Sequence, residues 1–310
     1  MKNPKVSVVL GSYNRLAFIQ LTLASIRAEV ENVPHEIIIV DGGSTDGTLA
    51  WLCEQKDVIT IVQHNRGVWL GKEIERRTWG YFMNLAFKAA QGQYVCMISD
   101  DCIFIPGALK NGVAYFDQLR ERGEKIGALA FYWREWSRSA SYHVGCTLGE
   151  KLYVNHGMFL NQALKEVDYI DEETFFFYNG DGDLCLKLWQ AGYQILDAPD
   201  SYVEHYPHAN VDVRKTNYQK MKDDLNRYLA KWDGIYYDRK QNNLGKIIAK
   251  DYVDVTNVGQ LFETLHEQVV ALHPQVVKGK SFSAKILEQV GWKYKAGVRK
   301  ISAFFTLRDR

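Results

Sequence analysis

The sequence predicts an α/β fold: a doubly wound, mostly parallel open sheet followed by a C-terminal helical extension. Three observations carry this. Short runs of β-branched and apolar residues recur through the first 131 residues, hydrophobic on both sides as strands buried on two faces are. Segments with helical spacing lie between them. The polar clusters follow the strands, which is where open α/β sheets bind ligands.

Residues 6–10 form the first expected strand, closed by Gly11, and 16–28 carry helical spacing. A second strand over 37–40 ends in Asp41-Gly42-Gly43, with a helix over 48–55 behind it. Strands over 58–62 and 94–98 repeat the device around a helix over 74–90. Pro106 stands where a first-turn proline belongs, ahead of a helix over 108–120, and 126–131 is a fifth strand. After about residue 210 the texture changes: 213–232, 258–272 and 284–292 read as helices, with no further strand. The chain therefore divides into a sheet domain over 1–210 and a helical extension over 211–310.

Lys+Arg 38 against Asp+Glu 37 leaves a net charge of +1, which argues against a uniformly basic nucleic-acid binder. Five cysteines form no CxxC pair and lie in apolar surroundings, as reduced buried thiols of a cytoplasmic protein do. No charged-then-apolar leader opens the sequence, and no run of about 18 apolar residues marks a membrane span. The segment 291–310 holds six cations against Asp309, interleaved with Trp292, Val298, Ile301, Phe304 and Phe305. Such a helix lies on an anionic membrane surface or docks its apolar stripe on its own protein. Aromatic residues make up 13% of the chain, more than a packed core requires.

Two clusters carry chemistry. In Asp41-Gly42-Gly43-Ser44-Thr45-Asp46, Asp46 precedes an apolar helix and reads as its cap. Asp41, at a strand's carboxyl end, is suited to accept from a base N–H or a ribose hydroxyl. Ser99-Asp100-Asp101 sets two adjacent carboxylates at the mouth of the sheet, where they repel unless a cation or donor offsets them. A polar turn before Pro106 is the bland reading; a Mg²⁺- or Mn²⁺-bound diphosphate is the sharper one.

Four segments in this order, Val6-Ser-Val-Val-Leu-Gly-Ser-Tyr-Asn14-Arg15, Glu36-Ile-Ile-Ile-Val-Asp41-Gly-Gly-Ser-Thr-Asp46-Gly, Gly92-Gln-Tyr-Val-Cys-Met-Ile-Ser-Asp100-Asp101 and Asn179-Gly-Asp181-Gly-Asp183, resemble glycosyltransferase family 2. The resemblance spans residues 5 to about 210 and implies the GT-A fold. It implies that Ser12, Tyr13, Asn14 and Asp41 hold the nucleoside of a nucleotide-diphosphate sugar, a UDP-sugar first among them. It places Asp100 beside ribose or metal, and Asp101 as ligand of a divalent ion, Mn²⁺ or Mg²⁺. Asp181 falls at the catalytic base. Gly180 stands where a Glu is common in the family, and Asp183 reads as a helix cap. His205 matches a late histidine that completes the metal site, with His208 as rival. Arg77, or its neighbour Arg76, meets the diphosphate.

The acceptor, a saccharide or lipid-linked glycan, is expected near the aromatic clusters, with Trp133, Trp136, Gly157 and Tyr178 as candidates. The chemistry implied is a single inverting displacement, Asp181 taking the acceptor's proton. Two rivals stand beside it: a nucleotidyltransferase, disfavoured because 11–15 is no glycine- and lysine-rich phosphate loop, and a non-catalytic nucleotide-sugar-binding module. The helical extension also offers a surface for a homo-oligomer.

Overall fold

The computed structural model describes residues 3–136, 139–207, 211–238 and 246–273. The expected helix over 284–292, the basic segment 291–310 and His208 lie outside the described residues. The strands are β1 Val6–Ser12, β2 His35–Asp41, β3 Val58–Val62, β4 Val68–Trp69, β5 Lys72–Glu73, β6 Tyr94–Met97, β7 Cys102–Phe104, β8 Ile126–Glu135, β9 Tyr142–Gly145, β10 Gly157–Leu160, β11 Gln194–His205 and β12 Ile247–Lys250. The helices are α1 Leu16–Val30, α2 Thr48–Glu54, α3 Trp79–Ala89, α4 Ala108–Glu121, α5 Asn161–Glu166, α6 Gly180–Gln190, α7 Val211–Tyr218, α8 Met221–Lys231 and α9 Glu263–Leu272.

The main sheet runs β12-β9-β8-β10-β6-β1-β2-β3, with β11 beside β8 and β7 beside β11. Strands β6, β1, β2 and β3 are mutually parallel, and β10 turns the sheet antiparallel. Alternation within the strands feeds two cores. Val6, Val8 and Leu10 of β1, with Ile37 and Ile39 of β2, pack under α1 and α4; Val9, Ile38 and Val40 pack under α3. Helices on both faces thus explain why these strands read as unbroken apolar runs.

Three expectations need correction here. The helix over 74–90 begins only at Trp79, because the Thr78 side chain accepts the Tyr81 N–H at 3.1 Å and so caps the first turn; the β4–β5 hairpin precedes it. Pro106 is not in the first turn of α4, whose N-cap is Gly107 at φ 96°. Instead the buried Glu29 carboxylate, carried on α1, accepts from the N–H groups of Gly107 and Leu109 at 2.6 and 2.8 Å. Finally, the region after 210 is not wholly helical, since β12 pairs antiparallel with β9.

Of the cysteines, Cys96, Cys102, Cys146 and Cys185 are buried thiols as expected, but Cys53 is exposed. No helix among the described residues is long and apolar enough to cross a membrane.

Candidate active site

The carboxyl ends of β1, β2 and β6 open into a cavity of about 340 Å³, closed by the loop before α6 and by α7. Ser12, Tyr13, Arg15, Gly42, Asp100 and Asp101 line it from the sheet side, and Phe176, Phe177, Tyr178, Arg214 and Asn217 from the opposite wall. Arg66, Arg76 and Arg77 complete the charged lining, and His205 lies among it.

The acidic pair is deeply placed, Asp100 and Asp101 being 3% and 4% exposed. Arg15 Nη1 donates to Asp100 Oδ1 at 2.5 Å and to Asp101 Oδ2 at 2.9 Å. Burial pushes the Asp100 carboxyl up to about 6; Arg15 pulls it back and Asp101 pushes further. Asp101 moves upward for the same first reason, against Arg15 and Arg214. For Arg15, burial opposes the charge, but the two carboxylates outweigh it and hold the guanidinium more firmly protonated.

One oxygen of each carboxylate, Asp100 Oδ2 and Asp101 Oδ1, is buried without a hydrogen-bond partner. His205 Nε2 lies 3.5 Å from Asp101 Oδ1, and burial, reinforced by Arg214 and Arg15, takes that imidazole down to about 3. Two unspent carboxylate oxygens beside a neutral imidazole fit a hard divalent cation.

The opposite wall is cationic. Arg76 donates to Asn217 Oδ1 at 3.0 Å and lies over the Phe176 ring; Arg66 reaches Thr216 and lies over the Tyr13 ring. Both partners are neutral. Burial, with Arg66 close by, lowers the Arg76 guanidinium to about 10, and burial lowers Arg66 as well. Arg77 faces the cavity over Tyr81.

The wall formed by 176–178 is held from two sides. Asp224 of α8 accepts the N–H groups of Phe176, Phe177 and Tyr178 at 2.8, 2.9 and 2.9 Å, and Phe176 O accepts the Trp79 N–H at 2.8 Å. Asn179 follows in the left-handed region, φ 68°, and starts α6. Asp181 sits in the first turn: Oδ1 accepts the Gly182 N–H at 2.8 Å, and Asn155 of the cavity wall approaches Oδ2 at 3.5 Å. Burial raises its carboxyl above the usual range. At Gly180 a Cβ would stand 3.1 Å from the Trp79 ring, so the chain fills with an indole the space a Glu side chain would take.

Several predicted site residues stand elsewhere. Asp41 is fully buried and folded onto its own turn, Oδ1 accepting the N–H groups of Gly43 and Ser44, Oδ2 the Ser44 hydroxyl. It shapes the wall behind Gly42, where a Cβ would meet Tyr13 at 3.0 Å. Asn14 laces the same two loops together, its Oδ1 accepting the Thr45 N–H at 2.8 Å and its own N–H donating to Ser44 Oγ at 2.9 Å. Asp46 is not the N-cap of α2, which is Gly47; it stands one residue earlier and accepts from the Thr48 N–H and also from Leu16 at the start of α1. Asp183 does not cap α6; buried inside it, its carboxylate takes Lys231 Nζ at 2.9 Å and Trp232 Nε1 at 2.8 Å.

Among the acceptor candidates only Tyr178 lines the cavity. Trp136 packs against Tyr206, Phe262 and His266, and Trp133 against His143, His156 and His205. Gly157 lies within β10, where a Cβ would meet Leu129 O at 2.2 Å, so close strand packing accounts for it. Arg15, Arg66, Arg214, Asn155 and Asn217 went unassigned in the sequence. Arg15 directly follows the first motif, which was the available signal; the rest are joined only by the fold.

Residues 7–177, more than half of the chain, match the sequence profile of glycosyl transferase family 2. Protein CgeD of Bacillus subtilis is 27% identical over 168 residues, 53% of this chain and 37% of CgeD. The match therefore covers little more than a third of that relative. Among solved structures, the mannosyltransferase PcManGT of Pyrobaculum calidifontis, in complex with GDP-Man and Mn²⁺, superposes with a TM-score of 0.52 at 18% identity, over 94% of this chain and 80% of its own. TarS 1–349 of S. aureus, in complex with UDP-GlcNAc, gives 0.50 at 17% identity, over 86% and 83%. The mixed sheet flanked by helices is the GT-A fold, and the profile match over residues 7–177 makes the chain a member of glycosyl transferase family 2.

Proposed function

We propose that this chain is an inverting, metal-dependent glycosyltransferase that moves a sugar from a nucleotide-diphosphate sugar to a hydroxyl of a saccharide or lipid-linked glycan. The observation that carries the reading is the charge arrangement of the cavity: two buried carboxylates with unspent oxygens face Arg66 and Arg76, whose partners among the described residues are neutral. A diphosphate satisfies both sides, through forked guanidinium bonds and through a shared cation.

Asp101 and His205 would hold Mn²⁺ or Mg²⁺, with Asp100 beside them; when bound, the ion supplies positive charge to the leaving diphosphate. Tyr13, set between Gly42 and the Arg66 guanidinium, lines the end of the cavity where the base would bind, with uridine the first candidate. Asp181 takes the proton of the acceptor hydroxyl as its oxygen bonds to C1, while the nucleoside diphosphate departs from the opposite face. Tyr178, with Phe176 and Phe177, supplies the aromatic wall along which the acceptor enters. The structures of TarS with UDP-GlcNAc and of PcManGT with GDP-Man support a donor of this class.

A thermal-shift panel of nucleoside diphosphates and their sugars, with and without Mn²⁺, tests the reading. One donor plus Mn²⁺ should raise Tm beyond either alone; at a hundredfold excess over Kd the stabilisation is about 2.7 kcal/mol. A flat panel would remove the reading.

A further inference from the structure

Val68, Trp69 and Leu70, at the tip of the β4–β5 hairpin, are three successive large apolar side chains, 65%, 71% and 85% exposed. Single apolar residues on a surface are ordinary, but a run of three at a projecting turn adds nothing to a core. The hairpin is a two-stranded sheet separate from the main one, with Val68 opposite Glu73 and Trp69 opposite Lys72. Leu70 and Gly71 join its strands at φ 49° and 77°, a two-residue turn of the I′ kind. Asn or Asp is usual at the first of these positions, because a left-handed backbone is costly for Leu. A Cβ added at Gly67 or Gly71 would meet nothing within 4 Å, so the hairpin stands clear of the other described residues. The chain thus accepts strain to hold a leucine out in water.

The base of the same hairpin lines the donor cavity through Arg66, Arg76 and Arg77. It is closed by the Ile74 N–H, which donates to Gly67 O at 2.9 Å, and by the Arg77 N–H, which donates to Asn65 Oδ1 at 2.5 Å. Trp69 therefore stands about 10 Å of extended strand beyond Arg66. Segments 66–77 and 211–222, tied together by Arg66 to Thr216 and by Arg76 to Asn217, hold eight Lys and Arg against three Asp and Glu. The tip is an apolar point on a cationic rim.

That combination fits an anionic lipid surface. Tryptophan settles at the headgroup level, and lysine and arginine are drawn to anionic lipid. Three side chains fall well short of the roughly 1,200 Å² that a specific protein interface buries. The segment 291–310 carries the same sign of charge as the rim, which disfavours it as a cover for the tip.

We propose that the β4–β5 hairpin inserts its apolar tip into the interface of an anionic membrane and so holds the mouth of the donor cavity against the lipid surface. The choice of acceptor that follows, a lipid-linked glycan over a free saccharide, rests on the glycosyltransferase reading; the docking does not.

The test uses the full chain with vesicles of phosphatidylcholine, alone and with phosphatidylglycerol. Co-sedimentation should need the anionic lipid and weaken as salt rises. The double variant Trp69→Ala, Leu70→Ala should keep the parent Tm and lose about tenfold or more in vesicle affinity. Lys72→Glu should lose affinity for the anionic vesicles. A local readout comes from an environment-sensitive dye on Leu70→Cys in a Cys53→Ser background, since the other four cysteines are buried. Its emission should move to the blue on anionic vesicles and be quenched by brominated lipid. Parent-like affinity in the double variant, or dye emission unchanged by vesicles, would overturn the proposal. A blue shift that grows with protein concentration in the absence of lipid would also overturn it, making the partner a second copy of this chain. No readout involves a donor or sugar transfer, so the docking and the glycosyltransferase reading fail separately.

Discussion

Arg15 Nη1 lies 2.5 Å from Asp100 Oδ1, and the same nitrogen reaches Asp101 Oδ2 at 2.9 Å. One side chain at the start of α1 thus bridges two adjacent carboxylates that lie 85 and 86 residues further along the chain. Removing it leaves two buried charges without their closest counter-ion. Arg15→Met should therefore lose on the order of 3–5 kcal/mol in urea unfolding, and Mn²⁺ should restore part of that loss. A variant as stable as the parent would mean that the pair does not depend on Arg15.

Asp181 makes a prediction that joins stability to function. Burial raises its carboxyl, so the fold disfavours the charged form. The penalty is present above the raised value and disappears below the unfolded carboxylate value, about 4. Asp181→Asn should consequently be more stable than the parent at pH 7, and equal to it near pH 3. The same shift requires transfer activity to fall, as pH drops, at a midpoint above the ordinary carboxylate range. Unfolding curves at the two pH values, with a pH–rate profile, check both signs.

Asp224 is 1% exposed and accepts three consecutive backbone N–H groups of the cavity wall. Asp224→Ala strands those donors, each worth about 1–3 kcal/mol when buried and unpaired. A loss of at least about 3 kcal/mol is expected by chemical denaturation, with hydrogen exchange faster at 176–178 than in the β1–β2 core. Unchanged protection at 176–178 would show that Trp79 alone holds the wall.

Arg66 and Arg76 have no acidic partner among the described residues, so neutralising them costs the fold little. Arg66→Gln and Arg76→Gln should each weaken nucleoside diphosphate binding about tenfold or more by calorimetry, with a weaker salt dependence. Parent-like affinity in both would place the diphosphate elsewhere.

The sheet was legible because strands with a core on each face announce themselves as unbroken apolar runs; Ile37, Ile38, Ile39 and Val40 serve two cores in turn. Strand β12 was not legible, since Ile247–Lys250 is largely exposed and owes its form to pairing with β9, about a hundred residues earlier. The acidic pair was singled out by its place after a strand, and Asp181 by its place in a motif. That the Asp41 carboxylate folds onto its own turn was not legible, because sequence does not reveal which backbone N–H groups a carboxylate will meet. The packing of Trp136 was not legible because its neighbours, Phe262 and His266, are distant in the chain. Arg76 and Arg77 were singled out through the family resemblance, whereas Arg66 and Arg214 carried no local pattern and reach the cavity only through the fold.

The central claim is that Asp181, reached from the cavity through Asn155, is the base of a glycosyl transfer whose donor the cavity holds. Its most direct test is Asp181→Asn, assayed for sugar transfer and for nucleotide-sugar affinity with the donor that the thermal-shift panel selects. Transfer lost by about a hundredfold or more, with donor Kd within about twofold of the parent, is the predicted result. An Asp181→Asn variant that transfers sugar at the parent rate would contradict it.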